Sequence, residues 1–126
     1  MRFEEYYITD KEGNSNCLIR SLCRIYNKEY EEVFNELCSL AKELKCENFN
    51  DIEVFETYMK KHNTFKIDYG KDIKIKDLNL ENGNYIVFAF NKKDWYHIVN
   101  IENNVLYDRA DDSLELYAIS IYKLEK

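Results

Sequence analysis

Thiol-based acyl transfer needs a cysteine to attack, a base to take its proton and a carboxylate to orient the base. The chain carries candidates for all three. Cys17 follows a turn-rich stretch, Lys11-Glu12-Gly13-Asn14-Ser15-Asn16, and precedes Leu18, Leu22, Ile25 and Tyr26, which recur at helical spacing. That places Cys17 at the start of a helix, where unsatisfied N–H groups and the positive end of the dipole stabilise a thiolate. The same N–H groups suit an oxyanion. The other thiols are placed differently. Cys23 and Cys38 fall mid-helix, on or beside apolar stripes, as small buried side chains do. Cys46 sits in a loop.

The base candidate is His97, in Trp95-Tyr96-His97-Ile98-Val99-Asn100-Ile101, which reads as a strand. His62, at the end of a helix, is accounted for by the helix dipole alone. Glu102-Asn103-Asn104 reads as a hairpin turn, and Val105 to Asp108 as the returning strand. The hairpin brings Asp108 beside the His97 end of its partner, where a carboxylate can accept the imidazole N–H. Asp111 and Asp112 lie close enough in sequence to take the same role. The run Asp108-Arg109-Ala110-Asp111-Asp112 lacks the alternating ligands and glycine of a calcium loop. Each residue has a plainer reading: a core cysteine, a sheet histidine, a turn-capping aspartate. Their joint placement is what points to chemistry.

The elements that position them divide near residue 63. Before it the pattern is helical. After Cys17 a second helix is expected over 30–44, on the stripe Tyr30, Val33, Phe34, Leu37, Cys38, Ala41 and Leu44. A third is expected over 51–62, with Asn50 as cap and Glu53 three residues on, close to a capping box. A short strand is expected over 3–9. Beyond residue 63 the period becomes two at Phe65, Ile67 and Tyr69. Asn84 to Phe90 reads as a central strand buried on both faces. Tyr96 to Ile101, Val105 to Asp108 and Leu114 to Leu124 complete the set. The expected fold class is α+β, with N-terminal helices on a C-terminal antiparallel sheet, in one domain of 1–126.

Composition excludes several functions. The 126 residues are 45% apolar and 33% charged, a globular balance. A net charge of −6, with lysines interleaved among acids, does not suit phosphate backbones or anionic membranes. No apolar run has the length of a signal peptide or a membrane span, so a cytoplasmic protein is expected. In that compartment the four cysteines read as free thiols. None has the C-x-x-C spacing of zinc or redox sites, and thiol-based acyl transfer requires no metal or cofactor.

Two blocks carry a resemblance. Asn16-Cys17-Leu18-Ile19-Arg20-Ser21-Leu22, with Tyr26-Asn27-Lys28-Glu29-Tyr30-Glu31-Glu32-Val33 after it, is similar to the C-x-x-R-A-L and K-x-Y-E-E-V pattern of small bacterial and phage papain-like cysteine peptidases. His97-Ile98-Val99-Asn100-Ile101, then Asn104-Val105-Leu106-Tyr107-Asp108 and Asp111-Asp112-Ser113, resembles that group's H-V-V-x-V, Y-D and D-S block. The similarity runs from about 14 to 113, with 45–82 alike in layout only. It implies a papain-like fold, a helix bearing the cysteine packed on a sheet bearing the histidine. It also implies catalytic roles for Cys17, His97 and Asp108, with Arg20 and Asp112 in support. Arg20, one helical turn beyond Cys17, would pair with a carboxylate. Papain's oxyanion glutamine falls six residues before its cysteine, where this chain has Lys11, so Asn14 or Asn16 is expected to donate instead. The implied activity is cleavage of a peptide or isopeptide amide in a protein or peptide substrate. Deamidation or acyl transfer would use the same residues. A catalytically inactive interaction module, with eleven tyrosines supplying aromatic surface, is the competing reading.

Overall fold

The computed structural model describes residues 1–6, 17–62, 64–68 and 72–124. Three helices come first after a short strand: β1 (Arg2–Glu5), α1 (Cys17–Tyr26), α2 (Tyr30–Leu44) and α3 (Ile52–Lys61). Five strands follow: β2 (Thr64–Asp68), β3 (Asn84–Phe90), β4 (Tyr96–Glu102), β5 (Val105–Asp108) and β6 (Tyr117–Leu124). The class is α+β, with one six-stranded sheet in the order β1-β5-β4-β3-β6-β2.

Local patterning accounts for most boundaries. α1 ends where Asn27 turns left-handed at φ 54°. α2 ends at Lys45, also left-handed at φ 61°, whose N–H donates to Lys42 O while the Cys46 N–H donates to Ala41 O. That pair of bonds satisfies the last carbonyls of the helix without a glycine. α3 departs from expectation. Asp51, not Asn50, holds the cap position, and its side chain makes no cap bond. The Asp51 carboxylate instead accepts the Asn48 N–H at 3.3 Å, closing the preceding loop on itself. Asn50 is thereby left at the surface of a cavity described below.

The sheet is mixed, where an antiparallel one was expected. β1 runs parallel to β5, pairing Arg2 with Val105 and Glu5 with Asp108. A hairpin forces neighbouring strands to be antiparallel, but β1 and β5 are separated by all three helices, so no turn constrains their direction. The final strand is also shorter than expected. Asp111–Glu115 coil into a 3-10 turn, in which Ser113 Oγ donates to Ala110 O, and β6 begins only at Tyr117.

β3 is central and buried on both faces. On one face Ile86, Ile98 and Tyr122 pack with Leu18, Ile19, Leu22, Leu37, Phe55 and Met59 of the helices. On the other, Tyr85, Val87, Val99, Ile101 and Ile121 pack with Ile75, Leu78 and Leu116 of the long connections. α1 is enclosed so fully that Arg20 and Ser21 are buried along with its apolar residues.

The β4–β5 hairpin is closed by Asn103 and Asn104, both left-handed at φ 50° and 65°. These are the angles of the turn type that matches strand twist. Asn103 Oδ1 accepts the Gly83 N–H at 3.0 Å. A β-branched side chain strains a left-handed position, whereas glycine does not. Asn104→Val is expected to lose about 1–2 kcal/mol of stability in urea denaturation, and Asn104→Gly to lose none.

Candidate active site

Cys17 is the first residue of α1, with its side chain partly exposed. Leu18, Ile19 and Leu22 bury the helix in the core and fix where the sulfur stands. It lines a cavity of about 270 Å³ together with Leu18, Asn50, Phe88, Trp95, Tyr96, His97 and Ile98.

β4 supplies His97, which is 9% exposed. Hydrogen-bonded ladder pairing between β4 and β5 covers only Asn100–Glu102 against Tyr107–Val105. Beyond that the strands are not paired, and α1 provides partners at their ends. Ser21 Oγ donates to Ile98 O at 3.2 Å, and Arg20 reaches Asp108. Polar residues in this helix are thus buried because each satisfies a group the sheet leaves open.

Asp108 ends β5 and is 3% exposed. Its main chain is held by β1, since the Tyr6 N–H donates to Asp108 O at 2.9 Å. Oδ2 accepts from His97 Nε2 at 2.8 Å. Oδ1 accepts from Arg20 at 2.7 Å and from the Arg109 N–H at 2.8 Å. A carboxylate only accepts, so Nε2 carries a proton, and Nδ1 is the ring nitrogen left for Cys17. The ring and the sulfur line one cavity and interact electrostatically.

Charge is shared along this chain of contacts. Burial opposes a charged His97. The hydrogen bond to Asp108, the Cys17 sulfur and the Asp108 charge outweigh it and lift the imidazole from 6.5 to about 9. Burial alone would raise the Asp108 carboxyl too. The bond from His97 and its charge, the Arg109 N–H and the Arg20 charge hold it below its ordinary 3.8.

The remaining sequence candidates are placed as follows. Arg20 is 3% exposed and bound to Asp108, not spread over a solvated helix face. Asp112 is exposed in the 3-10 turn and lines a second cavity of about 480 Å³ with Arg20, Trp95, His97, Asp108, Arg109 and Ala110. Asp111 is exposed in the same turn, and the bond to His97 is made by Asp108. Asn14 and Asn16 lie outside the described residues, as does Lys11. His62 stacks on Tyr58 with centroids 3.9 Å apart and donates from Nδ1 to Tyr58 O. Cys23 is buried, and desolvation pushes its thiol up to about 11. Among the described residues no cluster of three or more metal-ligating side chains occurs, and no helix is long and apolar enough to cross a membrane.

Two site residues were not singled out from sequence. Trp95 lies over His97, with centroids 4.7 Å apart and planes 22° from parallel. It is held there by Asn91, whose Oδ1 accepts the N–H groups of Lys93, Asp94 and Trp95. An Asn opening the turn before a Trp-x-His strand is the signal that points to it. Asn50 has no such signal, because it shares a cavity with Cys17 only through the packing of the α2–α3 loop against α1.

Comparison of the chain with protein-family models, with curated proteins and with solved structures gives no match in any of the three.

The raised imidazole links the site to stability. A group whose folded value exceeds its unfolded value contributes fully below the unfolded value and loses that contribution as pH rises through the folded one. For His97 the window runs from 6.5 to about 9. The wild-type urea midpoint is expected to fall across that window more than that of His97→Gln. By NMR, His97 should titrate near the top of the window, and Asp108→Asn should move its midpoint down.

Proposed function

We propose that the chain is a papain-like cysteine hydrolase that cleaves an amide in a peptide or protein through a Cys17 thioester. The observation that carries this reading is the commitment of both Asp108 oxygens, one to His97 and one to Arg20, in a buried cluster whose imidazole turns to the cavity holding Cys17. A turn-capping aspartate would not need a buried arginine and an oriented histidine. A helix bearing the cysteine, packed on a sheet bearing the histidine, supports the papain-like assignment, as do the two sequence blocks.

The steps follow from the atoms. His97, charged below about 9, holds the Cys17 proton on Nδ1 as an imidazolium beside the thiolate, and the thiolate forms a bond to the amide carbon. The carbonyl oxygen becomes an oxyanion, for which the Cys17 N–H at the head of α1 is the available helix donor. The C–N bond breaks, and the proton on His97 passes to the leaving amine. Water then attacks the thioester while His97 takes its proton. The acid is released, and the Cys17 thiolate is left beside the reprotonated His97. Asp108 accepts from Nε2–H throughout, which leaves Nδ1 as the nitrogen that exchanges the proton. Arg20 and the Arg109 N–H are positioning groups, acting through Asp108.

Removing a nucleophile of this kind lowers turnover by on the order of 10⁴ or more. Cys17→Ala is therefore expected to abolish hydrolysis of any substrate found by screening, and retention of full activity would overturn the reading. At pH 6 iodoacetamide should alkylate Cys17 ahead of Cys23, Cys38 and Cys46 by mass spectrometry, and His97→Gln should remove that preference. Amide turnover should decline as pH rises through about 9, where His97 loses the proton that the leaving amine needs.

A further inference from the structure

The cavity that holds Cys17 does not end at the sulfur. It shares Asn50, Phe88, Tyr96 and Ile98 with a neighbouring cavity of about 460 Å³, completed by Asp51, Ile52 and Phe55. That is the size of a small-molecule site, and its lining is mostly apolar. The walls are ordered by ring contacts. Tyr96 stacks on Phe88 with centroids 5.5 Å apart and on Phe90 at 5.9 Å, and Phe88 packs on Phe55 at 6.1 Å.

Exposure at the surface points to the same place. Among the described residues, the exposed large hydrophobic side chains are Ile52 at 46%, Phe65 at 44%, Trp95 at 44% and Tyr96 at 56%. All but Phe65 line one or both of these cavities. Exposed apolar groups gathered at a cleft mark a binding surface, whereas scattered ones do not.

The chemistry decides which half of a substrate goes there. In the thioester the acyl carbon is bonded to Cys17 Sγ, so its substituent occupies the space continuous with the sulfur. The leaving amine takes its proton from His97 and departs past the imidazole. His97 also lines a separate cavity with Arg109, Ala110 and Asp112, which Cys17 does not line. The apolar cavity is therefore on the acyl side. Resting on the catalytic reading above, we propose that the residue contributing the cleaved carbonyl carries a large apolar side chain, aromatic or branched aliphatic, seated between Ile52, Phe88 and Tyr96. An acidic side chain would lose hydration there and face the Asp51 carboxylate. Asn50, at the junction of the two cavities, is the polar group positioned to meet the backbone of that residue.

The test uses p-nitrophenyl esters of N-acetyl-phenylalanine, N-acetyl-leucine, N-acetylglycine and N-acetylaspartate, with iodoacetamide alkylation of Cys17 as a probe that needs no side-chain pocket. The phenylalanine and leucine esters should react at least about tenfold faster than the glycine ester, and the aspartate ester more slowly than it. Ile52→Asp sits at the first position of α3, where an acid suits the helix dipole, so the variant should fold. It should bring the phenylalanine-to-glycine ratio close to one. Phe65→Asp, at an exposed apolar residue away from the cleft, should leave that ratio unchanged. Equal rates for phenylalanine and glycine esters, with fast and His97-dependent alkylation, would overturn the acyl-side assignment and spare the catalytic reading. Slow, His97-independent alkylation would overturn both.

Discussion

A carboxylate buried to 3% exposure cannot stand alone, because an uncompensated ion in that setting costs several kcal/mol. Asp108 is compensated from three directions. His97 comes from the neighbouring strand, Arg20 from a helix 88 residues earlier, and the N–H of Arg109 from its own turn. β1 holds its main chain through Tyr6. The geometry of the site is thus the geometry of one anion's solvation. Moving α1 relative to β5 would strand both charges, so the helix that carries Cys17 is tied to the strand that carries Asp108. The same anion keeps His97 in its charged form over a wider range of pH than a free imidazole.

Burial of polar groups in α1 follows from where the sheet opens. A fully paired β4–β5 ladder would leave no room for a helix side chain between the strand ends. Pairing stops at Asn100 and Tyr107, and Ser21 and Arg20 take over the groups beyond. The apolar residues of α1 serve stability, and these two polar ones set its register against the sheet. Trp95 then covers the exposed side of His97, which shields the bond to Asp108 from competing water and strengthens it in a lower local dielectric. The cleft walls have a similar logic. Phe55 and Phe88 belong to the helix-layer core and also line the cleft, with the exposed Tyr96 stacked on Phe88, so the packing that stabilises the helix layer also shapes the cavity beside the sulfur.

Much of this was legible in local pattern. α2 runs over Tyr30–Leu44, β3 over Asn84–Phe90 and β5 over Val105–Asp108, as periodicity and turn residues indicated, because those boundaries depend on neighbours in the chain. Cys17 at the head of α1 was readable for the same reason. The pairing of His97 with Asp108 was also accessible, since a tight hairpin relates the two by local geometry. The misreadings have a common origin. Asn50 loses the cap position to Asp51 through a loop contact with Asn48. β6 starts late because Asp111–Glu115 coil up first.

What the chain determined by itself is therefore its inventory: helices before strands, a cysteine at a helix start, and a histidine and an aspartate on one hairpin. Tertiary structure decided the rest. It set β1 parallel to β5, drew Arg20 out of solvent and onto Asp108, laid Trp95 over His97, and joined Asn50, Ile52 and Phe55 to the Cys17 cleft. The physical reason is range. Periodicity and turn chemistry act over a few residues, whereas the partner of a buried charge and the lining of a cavity are chosen by segments that meet only after the chain has packed.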